Sequence, residues 1–338
     1  MEGLRPFVDS TGIAGDEKAL AEGMARDGYL FVRGLVPPAD VAAVRDEALR
    51  VVAEAGWLCG ERPRTEAVAA AGAACADPDD RYVPVLRRLY RLEALHALKH
   101  HPAVVGLFER LLGADVLVHP MLIVRNIFPQ RPELTTPAHQ DFPHIQGTPE
   151  TFAMWLPLSD CPMTMGGLTV AEGSHTQGVR DFRASSGAGA MEVCESLDGR
   201  WVGGDFAQGD AVIFHSMTVH RGLTNTTDRL RQSIDARYQR LGEAVSEKSL
   251  EPYAGTGSWD EIYRGWRRQD LQYYWRRLPL TFAPFDWQYY ERRDQMAFEM
   301  AEDGDTEARA ALLRIIQRDP DPAKRARAAH LVAALDGA

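Results

Sequence analysis

From Ala114 onward the chain breaks into short runs of strand-forming residues, and this punctuation limits the fold more than any other feature. Val116-Leu117-Val118 comes first, then Met121 through Phe128. Thr151 through Leu158, Gly166 through Val170, Ala211 through Phe214 and Arg231 through Arg240 follow, with Gly and Pro between them. A parallel α/β sheet would separate its strands by helical patterns of roughly ten residues or more, whereas here strand follows strand. The pattern predicts a mainly β fold with helical additions, built on a double-stranded β-helix or jelly roll.

The flanks read differently. Residues 16–26 carry Leu20 and Met24 at helical spacing, Asp27-Gly28 signals a turn, and Tyr29 through Arg33 reads as a strand. Asp40 is the expected N-cap of a helix reaching about Ala55. Residues 60–84, rich in Ala, Gly, Asp and Pro, read as a loop or weak helix. Residues 85–113 read as helices broken at His101-Pro102 and closed by Gly113. The expected division is an N-terminal helical and strand region at 1–113, a jelly-roll core at 114–240, and a helical cover at 241–338 that forms one unit with the core.

Within the strand-rich part lies His139-Gln140-Asp141. In an extended strand side chains alternate faces, so His139 and Asp141 are expected to share a side while Gln140 and Phe142 point away. An imidazole beside a carboxylate supplies two of the three ligands of a two-His-one-carboxylate iron site, and His220 is the best third.

The wider context carries a resemblance. Asp27-Gly28-Tyr29, Arg33-Gly34-Leu35, His139-Gln140-Asp141, Trp155 through Asp160, Gly166-Gly167-Leu168 and Glu172 through His175 occur in order, followed by Gly209-Asp210, His220, Asn225 and Arg231. In these motifs the chain resembles the phytanoyl-CoA dioxygenase family of Fe(II)/2-oxoglutarate-dependent oxygenases. The resemblance implies that His139, Asp141 and His220 bind Fe(II), and that the guanidinium of Arg231 grips the distal carboxylate of 2-oxoglutarate with help from Ser233. Arg229 and Arg237 are the alternatives to Arg231. Gln140, Trp155 and Met121 fall where the family lines its cosubstrate pocket, and Phe142 and His144 are candidate substrate contacts. Gly222 departs from the pattern, because relatives often carry a small hydroxyl residue there. Asp141 is present where related halogenases have a small residue, so halogenation is disfavoured.

The implied activity is O2-dependent oxidation of an unactivated C–H bond in a small organic metabolite, expected in specialised (natural-product) metabolism, releasing succinate and CO2. Hydroxylation leads; desaturation, epoxidation and ring rearrangement share the chemistry. A non-catalytic metal-binding jelly roll is the alternative class.

A formal net charge of -10 argues against broad nucleic-acid binding and against adhesion to anionic membrane. Four cysteines without a C-x-x-C pair read as reduced thiols of a cytoplasmic protein. Neither a secretory leader nor an apolar run of about 18 residues is evident, so no membrane association is expected. A monomer or homodimer is expected.

Residues 241–293 interleave Trp259, Trp266, Trp275 and Trp287 with many tyrosines and arginines. A cover over the core, a substrate lid and a subunit interface all suit that composition. The working expectation places the segment at the substrate mouth, with Arg267 and Arg268 toward an anionic substrate. Residues 305–336 read as a helical hairpin that buries Ala308, Ala311, Leu312 and Ile315 on one helix and Ala326, Ala329 and Leu335 on the other.

Overall fold

The computed structural model describes residues 3–77, 79–253 and 255–337. Strand β1 (Arg5–Pro6) leads to helix α1 (Glu17–Asp27). Asp16 caps α1 by accepting the Ala19 N–H, and Gly28 ends it in the left-handed region at φ 77°. A Cβ at Gly28 would also strike the ring of His175, so backbone and space both demand glycine. Strand β2 (Tyr29–Val32) and helix α2 (Pro38–Glu54) follow. Asp40 lies in the first turn of α2, not at its cap, because Pro38 starts the helix earlier with a φ already suited to it. Helices α3 (Val83–Tyr90), α4 (Glu93–Lys99) and α5 (Pro102–Leu112) complete the N-terminal part. Their histidines are structural: His96 bonds the Tyr90 carbonyl and His101 caps α5 through Ala103 N–H.

Strand β3 (Val116–Ile127) is continuous where the sequence suggested two strands. The interruption is a bulge around Pro120, since proline cannot donate to a ladder. The register passes from Ala236–Leu122 to Tyr238–Val118, leaving extra residues on β3. Lys99, 1% exposed, donates its ammonium to the His119 and Pro120 carbonyls freed there.

The remaining core elements are α6 (Phe142–Ile145), β4 (Thr151–Pro157), β5 (Leu168–Ala171), β6 (Phe182–Ala184), β7 (Met191–Val193), β8 (Trp201–Gly203), β9 (Ala211–His215), β10 (His220–Gly222) and β11 (Arg231–Arg240). Two main sheets result, ordered β2-β9-β4-β11-β3 and β1-β8-β5-β10, with β6-β7 as a separate hairpin. Alternation sorts the five-stranded sheet into two faces. Leu30, Leu122, Val124, Met154, Leu156, Ile213, Ile234 and Tyr238 join one cluster with residues of α1 to α5. Tyr29, Phe31, Trp155, Val212 and Phe214 face the other way and pack on Leu168, Val170, Val202 and Phe206. On that inner face β11 presents Arg231, Ser233, Asp235 and Arg237.

Beyond β11 come β12 (Ala244–Ser246), α7 (Trp259–Ile262), β13 (Thr281–Ala283), α8 (Gln288–Glu302), α9 (Arg309–Arg318) and α10 (Pro322–Gly337). The aromatic segment packs against the helix-covered side: Trp259, Tyr263 and Trp275 belong to the cluster of α1 to α5. Its hydroxyls also satisfy the exposed edge of β3, with Tyr274 donating to the Val118 carbonyl at 2.6 Å. Helices α8 to α10 form a small core of their own with β6 and β7, through Ala297, Phe298, Leu312 and Ile315. On α10 the buried residues are Ala328 and Leu331, whereas Ala326 and Ala329 are exposed, contrary to the sequence reading. Among the described residues no helix is long and apolar enough to cross a membrane.

Candidate metal centre

His139 and His220 meet because their backbones pair. Each donates its N–H to the other's carbonyl, at 2.9 and 3.0 Å, and the two rings stand 4.2 Å apart. Asp141 arrives differently. It is not on a regular strand: its φ of -74° and ψ of -32° are helical, and it starts α6. The turn, rather than strand alternation, brings its carboxylate round. Oδ1 of Asp141 then lies 3.9 Å from Nε2 of His139 and 3.8 Å from Nε2 of His220. All three side chains are buried, and their ligand atoms lie within 4.8 Å of one another. They could hold one divalent ion.

The histidine tautomers follow from their partners. Nδ1 of His139 is 2.8 Å from the Pro137 carbonyl, and Nδ1 of His220 is 3.0 Å from that of Thr218. A carbonyl only accepts, so both protons sit on Nδ1 and both Nε2 lone pairs remain for a metal. Burial holds His139 well below its ordinary pKa and lowers that of His220, which keeps both neutral. Burial alone would raise the Asp141 carboxyl, but the guanidinium of Arg237 holds it below the usual carboxylate range. Two neutral imidazoles and one ionised carboxylate are a donor set suited to Fe(II).

Arg231, also buried, donates from Nη1 to Ser233 Oγ at 2.8 Å and lies 5.4 Å from the centre of the Trp155 ring. Among the described residues its Nε has no partner, and neither has the buried Oγ1 of Thr135. Gly222 leaves room between them: a Cβ there would sit 3.6 Å from Thr135 Cγ2 and 3.9 Å from Arg231 Nη2. Unmatched donors around a space emptied of side chain suit a small acid such as 2-oxoglutarate.

A family model described as phytanoyl-CoA dioxygenase (PhyH) matches residues 24–233. The chain belongs to this family. It is an Fe(II)/2-oxoglutarate-dependent dioxygenase, with iron, 2-oxoglutarate and O2 as its cofactor and cosubstrates. A 1-deoxypentalenic acid 11-beta-hydroxylase of Streptomyces exfoliatus is 27% identical over 278 residues, covering 74% of this chain and 90% of its own. A phytanoyl-CoA dioxygenase domain-containing protein 1 of Danio rerio is 23% identical over 249 residues, covering 61% and 84%. Among solved structures, the epimerase SnoN in complex with Fe3+, alpha ketoglutarate and nogalamycin RO gives a TM-score of 0.48 at 25% identity, covering 72% of this chain and 91% of that one.

The other sequence candidates of the dioxygenase separate clearly. Gln140 turns its amide to backbone: its Nε2 donates to the Gly178 and Met217 carbonyls and its Oε1 accepts from Arg180 N–H. Trp155 is a core residue, packed edge-on against Phe206, that also backs Arg231. Met121 is half-buried on β3 at the register shift. Phe142 opens α6, half-buried. His144 stands beside the centre, its ring 6.5 Å from that of His139 and its Nδ1 2.9 Å from the Tyr290 hydroxyl. Burial pushes its pKa down to about 4.

Arg267 and Arg268 are both exposed, and both backbone N–H groups donate to Glu93 on α4, on the helix-covered side. Aromatic and arginine content marks a packing segment but not the face it covers. Arg267→Ala with Arg268→Ala is expected to keep 2-oxoglutarate turnover within about twofold of wild type, measured as succinate formed.

Of the two alternatives to Arg231, Arg229 is exposed, 4.0 Å from Asp228. Arg237 is buried and donates from Nη2 to Asp141 Oδ2 at 2.9 Å. In the sequence Arg237 stood only as an alternative to Arg231, and nothing there linked it to Asp141. The sequence reading also missed a cleft of about 560 Å³. Its lining includes Ile123, Arg125 and Ile127 of β3, Thr136, Tyr253 and Leu313 of α9. These come from distant parts of the chain and share no motif.

Proposed function

We propose that this dioxygenase oxidises an unactivated C–H bond of a small, largely apolar natural product, with hydroxylation as the leading outcome. The buried cluster His139–Asp141–His220, with a cleft lined in part by Thr136 three residues before His139, is the observation that carries this reading. His139, Asp141 and His220 would hold Fe(II). Arg231 and Ser233, joined by Thr135 in place of a hydroxyl at position 222, would hold the distal carboxylate of 2-oxoglutarate. Trp155 supports Arg231 from beneath. The bound iron with 2-oxoglutarate and O2 supplies the oxidising power, turning the cosubstrate into succinate and CO2.

The chain's own part is to bind, aim and exclude. Cleft residues Ile123, Ile127 and Leu313 offer an apolar surface, and Arg125 adds a cation on the inner face. A volume of about 560 Å³ suits one drug-sized molecule. The two main sheets are read as the halves of a double-stranded β-helix. The segments 1–113 and 241–338 are read as additions to a catalytic core at 114–240, with α9 forming one wall of the substrate cleft. The hydroxylase relative supports 1-deoxypentalenic acid as the first compound to try.

The test is an aerobic assay with Fe(II), 2-oxoglutarate and a panel of small apolar acids that includes 1-deoxypentalenic acid. Gain of one oxygen atom by a panel member, matched by an equal amount of succinate, is the expected result. Succinate with loss of two hydrogens would replace hydroxylation by desaturation. A protein that consumes no 2-oxoglutarate with any compound would contradict the reading. Leu313→Trp is expected to cut substrate-coupled succinate by roughly tenfold or more while leaving 2-oxoglutarate binding unchanged.

A further inference from the structure

Asp141 has two carboxylate oxygens, and the structure treats them differently. Oδ1 faces Nε2 of both histidines, at 3.9 and 3.8 Å. Oδ2 accepts the Nη2–H of Arg237 at 2.9 Å. That bond takes one lone pair of Oδ2 and holds this oxygen toward the guanidinium, which favours Oδ1 as the oxygen offered to a metal.

The count of metal bonds matters for this chemistry. Two imidazoles and one carboxylate oxygen occupy three positions of a six-coordinate ion and leave three. A 2-oxoacid chelating through its keto and acid oxygens takes two, and O2 needs the third. Were both oxygens of Asp141 to bind, one of those positions would be lost. We propose that Arg237 is a positioning residue that holds Asp141 to a single metal bond and so keeps the third position open. This rests on the reading above, in which Asp141 is an iron ligand.

Two further observations support the assignment. Arg237 and Asp141 are both buried, with side chains 6% and 5% exposed, yet Nε and Nη1 of Arg237 have no partner among the described residues. A buried ion pair with donors left open is a poor stabilising device, so stability does not account for it. Arg237 also sits where β3 bulges, between the pairs Ala236–Leu122 and Tyr238–Val118. Bulges are over-represented beside active sites; the extra residues here lie on β3, opposite Arg237, which itself stays in regular register with Ala153 of β4. Lys99 in turn satisfies the bulge carbonyls, so the distortion is built into the fold.

The experiment compares wild type, Arg237→Leu and Arg237→Lys under anaerobic conditions, each loaded with Fe(II) and titrated with 2-oxoglutarate. The readouts are Fe(II) affinity, 2-oxoglutarate affinity and the visible charge-transfer band of the chelate. Arg237→Leu is expected to lose metal affinity by about 10–100-fold, the usual effect of removing a ligand's supporting partner. With iron restored to saturation, its chelate band is expected to be shifted or weakened, and 2-oxoglutarate binding weaker. Arg237→Lys, which keeps a donor for Oδ2, is expected to recover part of both. Should Arg237→Leu fail to fold, Arg237→Gln carries the same comparison with a neutral donor. An unchanged band and unchanged affinities in folded Arg237→Leu or Arg237→Gln would overturn the proposal. Iron-loaded wild type without any band would instead remove the iron-and-cosubstrate reading beneath it.

Discussion

Arg231→Leu is expected to bind Fe(II) like wild type and to lose most of its affinity for 2-oxoglutarate. Arg231 reaches no carboxylate within ion-pair distance among the described residues, and its only hydrogen bond is to Ser233. Burial lowers its pKa, so the charge is held there at a cost that a bound dianion would offset. Truncating one side of a buried, hydrogen-bonded charge pair typically costs about 2–5 kcal/mol, or roughly 30- to 3,000-fold in affinity. Arg231→Lys should recover little, because an ammonium cannot copy the planar fork or its packing on Trp155. Anaerobic titration calorimetry on iron-loaded protein checks both variants. Near-wild-type binding by Arg231→Leu would move the distal carboxylate elsewhere, and Arg125 across the strand pair from Ser233 would be the next residue to examine.

Trp155→Ala should produce the largest loss of stability among the site residues. Trp155 is 2% exposed, meets Phe206 edge-on at 4.8 Å, and lies in the apolar layer between the two main sheets. Emptying such a position removes buried area and leaves a cavity, at a cost of about 3–5 kcal/mol. Urea denaturation measures this directly. Because the same ring backs Arg231, added 2-oxoglutarate and metal should stabilise Trp155→Ala less than they stabilise wild type. Equal ligand stabilisation of the two proteins would show that the ring serves packing alone. Trp155→Phe should lie between them in stability.

How much of this was readable beforehand varied with the physical source of each feature. The face of β11 was legible because a strand has a period of two and one side of this sheet is strongly apolar. That alternation put Arg231, Ser233 and Asp235 on one face before any coordinates. The pairing of His139 with Asp141 was inferred through strand alternation, whereas the chain in fact turns into α6 at Asp141. The two routes bring the residues together equally well, which is why the spacing alone could not distinguish them. Pro120 looked like a strand break and is a bulge, because Lys99, far away in sequence, satisfies the carbonyls it frees. The buried side of α10 was misjudged since alanines occur on all its faces and give no periodicity. The cleft over β3 was invisible for a different reason. Residues near 76, 125, 136, 186 and 313 meet only in the folded chain.

The central claim is that His139, Asp141 and His220 hold an iron to which 2-oxoglutarate chelates. The most direct measurement is an anaerobic titration of Fe(II)-loaded protein with 2-oxoglutarate, followed through the visible charge-transfer band, on wild type beside Asp141→Ala. A saturable band in wild type that is absent from Asp141→Ala is the predicted result. Iron bound by wild type with no band at any 2-oxoglutarate concentration, or a band undiminished in Asp141→Ala, would contradict it.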